Sequence, residues 1–220
     1  SINGSVPLLY ELPVLHIVRI INCNLYGDVN NIFGGPLMSM TVVHNSPDRE
    51  AQLDRRELSP RVCDMKLNKF LDIQFGGLIG SLPPCLAEVR SFLFVTLVGN
   101  DLTGDVSPML YSPFLIAATA IGSQFTGTLP AALSGAFLLT ALNFPSNQIS
   151  GTIPTLNRSG VVTFLNFPGN KLTGAGGPVV GQGLRILMSH NEFTTVPTGW
   201  WSLPGVIEMD LSNNMIETWP

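Results

Sequence analysis

Short apolar segments separated by turn residues recur along the chain, and polar positions alternate with their hydrophobic ones. The clearest are FLFVTLVGNDLTGDV (92–106), LIAATAIGSQFTGTLP (115–130), LTALNFPSNQISGTIP (139–154) and VTFLNFPGNKLTG (162–174). An apolar-x-apolar core such as Val95-Thr96-Leu97 predicts a short strand with one buried face. The segments share the template apolar-x-x-apolar-x-apolar-x-x-Asn-x-apolar-x-Gly-x-apolar-Pro, in which another small residue can replace the asparagine.

The asparagine position of this template, called the slot below, recurs at a nearly constant interval. The slots are Cys23, Asn45, Gly76, Asn100, Ser123, Asn147, Asn170, Asn191 and Asn214. Successive slots are 22, 31, 24, 23, 24, 23, 21 and 23 residues apart. All but one of these steps fall within the period of roughly 20–29 residues that leucine-rich repeats show. The spacing predicts a single leucine-rich repeat domain of about nine repeats over residues 1–220.

The extension L-x-G-x-[IL]-P after the slot resembles the plant-specific subclass of leucine-rich repeats. That subclass occurs in receptor-like kinase ectodomains, in secreted polygalacturonase-inhibiting proteins and, in similar form, in protozoan surface antigens. The resemblance implies an α/β solenoid, a right-handed superhelix with a parallel β-sheet on its concave side. Turns and short helical segments are expected on the convex side. Three features depart from the pattern: slot Gly76 has no side chain, Pro47 replaces an aliphatic residue, and the last two repeats lack the glycine.

The slot residues have a structural role in this scheme. The chain turns away from the strand at the slot, which leaves buried backbone groups without sheet partners. An asparagine side chain carries both an acceptor and two donors, so it can bridge the bends of adjacent coils. We expect such a ladder at Cys23, Asn45, Asn100, Ser123, Asn147, Asn170, Asn191 and Asn214.

Positions two, four and six before the slot are expected to face outward on the concave sheet. The column four before the slot is mostly polar, whereas the columns two and six before it are rich in aliphatic and aromatic residues. Large exposed apolar surfaces usually mark interaction sites. Candidate partner-binding residues are Phe70, Phe94, Thr96, Val98, Thr119, Ile121, Asn143, Phe164 and Asn166. Two alternatives stay open: these side chains turn into the core, or another part of the polypeptide covers this face.

The long step between Asn45 and Gly76 predicts a charged insertion over residues 46–66. Ser46, followed by Pro47 and an acid, resembles a helix N-cap, which predicts a short surface helix over 47–58. The insertion is interpreted either as a specificity loop or as a plain solvated segment.

Three cysteines and two glycosylation sequons bear on the compartment. Cys63 and Cys85 flank the insertion and the first well-formed repeat, so a disulfide between them is one option if the protein is secreted. The sequons NGS and NRS permit N-linked glycans at Asn3 and Asn157. The tryptophans of the last two repeats, Trp200, Trp201 and Trp219, are interpreted as core residues.

Composition excludes several classes of function. The chain is 45% hydrophobic and only 12% charged, which excludes a charge-solvated disordered protein. Its longest apolar runs are far shorter than the roughly 20 residues of a membrane-spanning helix. A net charge of −4 with 11 Lys and Arg offers no basic surface for nucleic acid. The three histidines lack metal-ligand spacing, and no nucleophile-elbow or phosphate-loop motif occurs, so we expect no metal, no cofactor and no enzymatic activity.

These observations predict protein or peptide recognition by the concave face. The resemblance implies an extracellular or cell-surface setting. One alternative is a structural or coat protein whose apolar face packs against copies of itself, and another is a secreted enzyme inhibitor. The chain begins and ends inside repeats and shows no cap, which predicts a piece of a longer polypeptide.

Overall fold

A computed structural model describes residues 3–21, 23–43, 53–65, 67–156, 161–177, 179, 181–197, 199–200, 203 and 205–217. Most of its regular structure is short parallel strands. In chain order these are β1 (Asn3–Ser5), β2 (Ile17–Ile21), β3 (Asn24–Tyr26), β4 (Ser39–Val43), β5 (Arg56–Glu57), β6 (Phe70–Gln74), β7 (Leu78–Ser81), β8 (Phe94–Thr96), β9 (Asp101–Asp105), β10 (Ala117–Thr119), β11 (Gln124–Thr126), β12 (Ala141–Asn143), β13 (Ser150–Ile153), β14 (Phe164–Asn166), β15 (Lys171–Ala175), β16 (Leu184–Leu187) and β17 (Val206–Asp210).

The main sheet takes one strand from each repeat. Its nine parallel strands follow the order β2, β4, β6, β8, β10, β12, β14, β16 and β17, so that each coil of the chain adds one strand beside the last. The residues six before the slot pair with one another across the sheet, from Ile17 through Phe70 and Phe94 to Glu208. The expected solenoid with a parallel concave sheet is confirmed.

A second set of strands follows the slots. Strands β5, β7, β9 and β11 form a four-stranded sheet, while β13 pairs with β15 and β1 with β3. Short 3-10 helices then return the chain to the next coil. They span Leu9–Glu11, Val29–Ile32, Pro60–Asp64, Pro84–Glu88, Ser107–Leu110 and Ala131–Gly135. Every helix in the described part of the chain is of this type. The residue before a proline avoids the helical region, so these proline-rich segments favour single turns over longer helices.

The core lies between the two sets of strands and the helices. Side chains five and three before the slot point inward from each strand of the main sheet, as Leu142 and Phe144 do in β12 and just after it. Phe144 stacks on Phe167 of the next coil, with ring centroids 5.6 Å apart. Trp200 is fully buried, in agreement with its interpretation as a core residue, whereas Trp201 and Trp219 lie outside the described residues.

The slot asparagines connect each coil to the one before it. Oδ1 of Asn100 accepts hydrogen bonds from the backbone N–H groups of Gly76 (3.1 Å) and Leu78 (3.2 Å). Its Nδ2 donates to the carbonyl oxygens of Ile73 (3.0 Å) and Val98 (3.2 Å). The same bridge between an N–H and a carbonyl of the preceding coil is made by Asn147, Asn170, Asn191 and Asn214.

The slots without asparagine make weaker connections. The Ser123 hydroxyl donates to the carbonyl oxygen of Asn100 (3.2 Å) and so keeps a single bond to the preceding coil. The Cys23 thiol donates only within its own coil, to the carbonyl oxygen of Ile21 (3.4 Å). Asn45 lies outside the described residues.

The residue just before the slot adopts a left-handed backbone conformation. Gly99 has φ +65°, and a Cβ there would overlap the ring of Phe75, which holds the same position one coil earlier at φ +55°. Glycine tolerates this conformation without a steric penalty, whereas an aromatic residue rarely adopts it. The bend therefore has a fixed shape in successive coils even where the residue does not favour it.

Residues 46–66 contain more of the repeat framework than the sequence indicates. Leu53 forms a parallel bridge with Gly27, and β5 pairs with β7. The surplus chain therefore precedes Leu53. Residues 44–52 lie outside the described residues.

The prediction of a helix over 47–58 is wrong for its described part, 53–58. Contacts with both neighbouring coils keep this stretch extended: Leu53 forms a single bridge with Gly27, and β5, the edge strand of its sheet, pairs with β7. Leu53 and Leu58 are buried. The helical turn begins instead at Pro60, where the side chain of Ser59 accepts the N–H of Arg61 (3.3 Å). In residues 53–58 tertiary pairing outweighs local helix propensity.

A disulfide joins Cys63 and Cys85, the option that the sequence left open. The two cysteines lie in the 3-10 helices of consecutive coils, 22 residues apart. Of the two sequons, Asn3 lies in β1, and Asn157 lies outside the described residues.

We predict that Asn147→Ala lowers the free energy of unfolding by about 1–3 kcal/mol, because it leaves buried backbone groups of two coils without partners. Gln148→Ala is the matched control, since the exposed Gln148 side chain accepts only a bond from Lys171. Chemical denaturation of both variants measures the difference. Equal losses in the two variants would show that the ladder bonds contribute nothing special.

Candidate functional site

The concave sheet presents the predicted binding residues to solvent. Phe70 is 39% exposed and Ile121 37% exposed, while Phe94 and Phe164 are half-buried. The other five candidates, Thr96, Val98, Thr119, Asn143 and Asn166, are also half-buried. None of the nine side chains turns into the core, which excludes the alternative that the register of these columns is inverted.

Phe70 and Phe94 form a stacked pair on this surface. Their ring centroids are 5.2 Å apart and their planes differ by 9°. The pair exists because β6 and β8 are neighbours in register, which places Phe70 opposite Phe94. Aromatic pairs of this kind add about 0.5–1.5 kcal/mol beyond the area that they bury.

A hollow of about 280 Å³ lies beside the stacked rings. Its lining consists of Arg19, Ser39, Thr41, Phe70, Asp72, Phe94 and Thr96, from strands β2, β4, β6 and β8. Three of the predicted residues, Phe70, Phe94 and Thr96, therefore meet at one place, whereas the other six lie elsewhere on the face. We call this place the aromatic hollow.

Asp72 is the acidic group of the aromatic hollow. Its carboxylate is half-buried, and burial raises its pKa, an effect that a hydrogen bond from Gln74 partly offsets. Nε2 of Gln74 donates to Oδ1 of Asp72 at 3.0 Å. Among the described residues, no cation lies within ion-pair distance of Asp72. Arg19, the basic residue of the hollow, is two strands away with Thr41 between them.

In a second cluster on the same face, the basic and acidic side chains already pair with each other. The Arg185 guanidinium lies over the ring of Phe164, 5.8 Å from its centroid, and also forms an ion pair with Glu208. Nearby, Nδ2 of Asn166 donates to Oδ1 of Asn143 at 2.8 Å. The polar groups of this half of the face bind one another.

The sequence pattern located the face but did not identify Arg19 and Asp72, the two charged residues of the hollow. Arg19 and Asp72 belong to the polar column four before the slot, and the sequence pattern indicates only that this column is exposed to solvent. The sequence signal for them is only partial: Arg19 is flanked two positions away by Ile17 and Ile21, whereas Asp72 has Phe70 on one side and Gln74 on the other. The chain described by the structure contains no cluster of potential metal ligands. It also contains no helix of the length and hydrophobicity that crossing a bilayer requires.

Known structures share this fold. No family model and no curated protein matches the chain. The plant peptide hormone receptor RGFR1, solved in complex with RGF2, aligns with a TM-score of 0.79 and 18% identity over 96% of this chain and 34% of the receptor. The LRR ectodomain of the Arabidopsis thaliana membrane receptor kinase GASSHO1/SCHENGEN3, in complex with CASPARIAN STRIP INTEGRITY FACTOR 2, aligns with a TM-score of 0.70 and 21% identity over 96% of this chain and 28% of that one.

A plant ice-binding protein aligns with a TM-score of 0.74 and 20% identity, over 96% of this chain and 69% of that protein.

The chain spans about a third or less of the length of the two receptor chains. The likeness confirms the expected leucine-rich repeat fold of the plant type.

We predict opposite pH dependences for two acids of the polar column. Because burial raises the pKa of Asp72, its charged form opposes folding, so Asp72→Asn is more stable than the wild type at pH 7. This advantage shrinks as the pH falls through the raised pKa of the folded state, and it is lost below 3.8, the ordinary pKa of the group. Hydrogen bonds from Ser212 lower the pKa of Asp210, so Asp210→Asn is less stable at pH 7, and the deficit disappears in acid.

Denaturant unfolding of the wild type and both variants at pH 7 and in acid measures these differences. The same sign of change in the two variants would contradict the assignment of burial to Asp72 and of hydrogen bonding to Asp210.

Proposed function

We propose that the concave face binds an extended peptide or a protein segment in an extracellular or cell-surface setting. The observation that carries this proposal is the exposed Phe70–Phe94 stack beside the aromatic hollow. Aromatic side chains dominate the binding energy of interfaces when they fill pockets surrounded by polar groups. The hollow and its threonine rim provide this arrangement.

The dimensions of the main sheet suit an extended peptide. Nine parallel strands about 4.8 Å apart span about 40 Å, the length of roughly a dozen extended residues. Along this path the polar column offers hydroxyl and amide groups to a peptide backbone, from Thr96 and Thr119 to Asn143 and Asn166. The flanking apolar columns then contact the peptide side chains.

Two further observations support the proposal. RGFR1, a plant peptide hormone receptor, was solved in complex with RGF2. The GASSHO1/SCHENGEN3 ectodomain was solved in complex with CASPARIAN STRIP INTEGRITY FACTOR 2. The Cys63–Cys85 disulfide suits an oxidising compartment, where glycans at Asn3 and Asn157 would also be added. Binding, rather than catalysis, is the activity that we assign. The coat-protein and enzyme-inhibitor alternatives stay predictions without added support.

We predict that Phe94→Ala lowers the affinity for concave-face peptides at least about tenfold, because it removes half of the aromatic stack. The probes are peptides selected on the wild-type chain from a phage-displayed random library, and calorimetry measures their binding. Phe137→Ala is the matched control, since Phe137 is another exposed ring of an aromatic pair, with Phe114, outside the main sheet. Peptides that bind all three proteins equally well would contradict the proposed site.

A second candidate function is favoured by the outward face of the strands that follow the slots. Threonines are exposed there in successive coils: Thr103, Thr126, Thr128, Thr152 and Thr173. Neighbouring parallel strands lie about 4.8 Å apart, so these hydroxyl and methyl groups recur along the face, although Thr126 pairs with Asp105 and Thr103 with Gln124 rather than with each other. The alignment with a plant ice-binding protein supports ice binding by this face, independently of the concave site. The charge of Asp105 interrupts the array.

We predict that, if this second function holds, the chain depresses the freezing point below the melting point and Thr126→Lys reduces this gap. Lysine is bulky and charged and would disturb the order of bound water. Thr163→Lys is the control, because Thr163 is exposed but lies outside these strands. Osmometry of single ice crystals measures the gap, and a wild-type chain without one would refute the second candidate.

A further inference from the structure

Among the described residues, two clusters on the concave face pair an aromatic side chain with an acid, and in only one of them does a cation contact both. In the first, Arg185 connects the ring of Phe164 to the carboxylate of Glu208. In this cluster the guanidinium already lies against the negative face of the ring and forms an ion pair with the carboxylate, so both groups have a cationic partner.

The aromatic hollow contains the ring and the acid, but its own cation, Arg19, lies two strands from Asp72 and forms no ion pair with it. Phe70 supplies the ring, and Asp72 of the same strand supplies the carboxylate. Among the described residues, no cation lies over Phe70 or Phe94, and none pairs with Asp72. The carboxylate is also half-buried, so its charge is only partly solvated.

We propose that the aromatic hollow binds the cationic side chain of an arginine or lysine in the peptide ligand. Asp72 and the free face of Phe70 are its two contacts. This assignment rests on the proposed function only in taking a peptide as the source of the cation.

The geometry leaves room for such a group. One face of Phe70 lies against Phe94, so the opposite face is turned towards β4, where the paired residue is the small Ser39. Gln74 binds Oδ1 of Asp72 and leaves Oδ2 free for a ligand. A volume of about 280 Å³ accommodates a guanidinium or an ammonium group with its alkyl stem.

Arg19 gives the hollow a direction. It lies two strands from Asp72 on β2, and no other charged side chain lines the described hollow from β2, β4, β6 or β8. Arg19 repels a cation at its own end and attracts a carbonyl or carboxylate group of the ligand. The cation is therefore directed towards Asp72. Since a bound cation favours the ionised carboxylate, binding strengthens as the pH rises through the titration of Asp72.

Small probes test the hollow without knowledge of the natural ligand. The probes are Nα-acetyl-arginine amide and the neutral, nearly isosteric Nα-acetyl-citrulline amide, titrated into the full chain while NMR follows the ring signals of Phe70 and Phe94. We expect saturable binding of the arginine probe and at least tenfold weaker binding of the citrulline probe.

Two variants separate the cation site from general effects. Asp72→Asn should weaken the arginine probe at least tenfold and leave the citrulline probe unchanged. It is expected to fold, because burial already favours the neutral form of this group. Glu208→Gln is the matched control, because it removes the charge of an acid on the same face whose carboxylate is already paired with Arg185. It should change the binding of neither the arginine probe nor the citrulline probe. Equal binding of the two probes, no saturable binding, or an Asp72→Asn variant that binds the arginine probe like the wild type would overturn the inference.

The phage-selected peptides keep this inference separate from the proposed function. Peptides that depend on Phe94 but contain no arginine or lysine would overturn the inference and leave the proposed function intact. Conversely, binding of the arginine probe at Asp72 without any Phe94-dependent peptide would overturn the proposed function and leave the cation site intact.

Discussion

The architecture depends on how backbone groups are satisfied where the chain leaves the main sheet. At each bend, N–H and carbonyl groups are buried beyond the last sheet hydrogen bond, where water cannot reach them. A side chain that both donates and accepts, and that is short enough to stay within the bend, satisfies the groups of two coils at once. Asn100 does so with four hydrogen bonds, and the asparagines of later coils repeat the pattern. Stacking at a fixed interval follows from this requirement.

Regular stacking also determines the surface. Because neighbouring strands pair in constant register, residues at equal distances from the slot become neighbours in space. Phe70 and Phe94, 24 residues apart in the chain, stack in this way, as do Phe144 and Phe167 in the core. A one-dimensional repeat is thus converted into rows of like side chains, which explains how a chain with few charges forms a distinct recognition surface.

The few charges of the concave face have different local environments. Burial opposes the charge of Asp72, hydrogen bonds from Ser212 favour that of Asp210, and Arg185 neutralises Glu208. Ser212 belongs to the same coil as Asp210, whereas Arg185 reaches Glu208 from the preceding coil, so the differences arise both within a coil and between coils. The hollow beside Phe70 is consequently a place where an anionic group lies beside an exposed ring and, among the described residues, no cation pairs with that group.

The sequence alone determined the periodicity, and with it the solenoid, the strands of the main sheet and the residues that face outward. It could do so because the slot spacing and the two-residue alternation of strands are local properties that recur in each repeat. Tertiary structure decided what depends on contacts between coils. Residues 53–58 became extended because β5 pairs with β7 and Leu53 forms a bridge with Gly27, Cys63 met Cys85, and Arg19 and Asp72 came to share a hollow with Phe70. None of these can be read within one repeat, because the partners are a full coil apart and the energies that select them arise only when the coils pack.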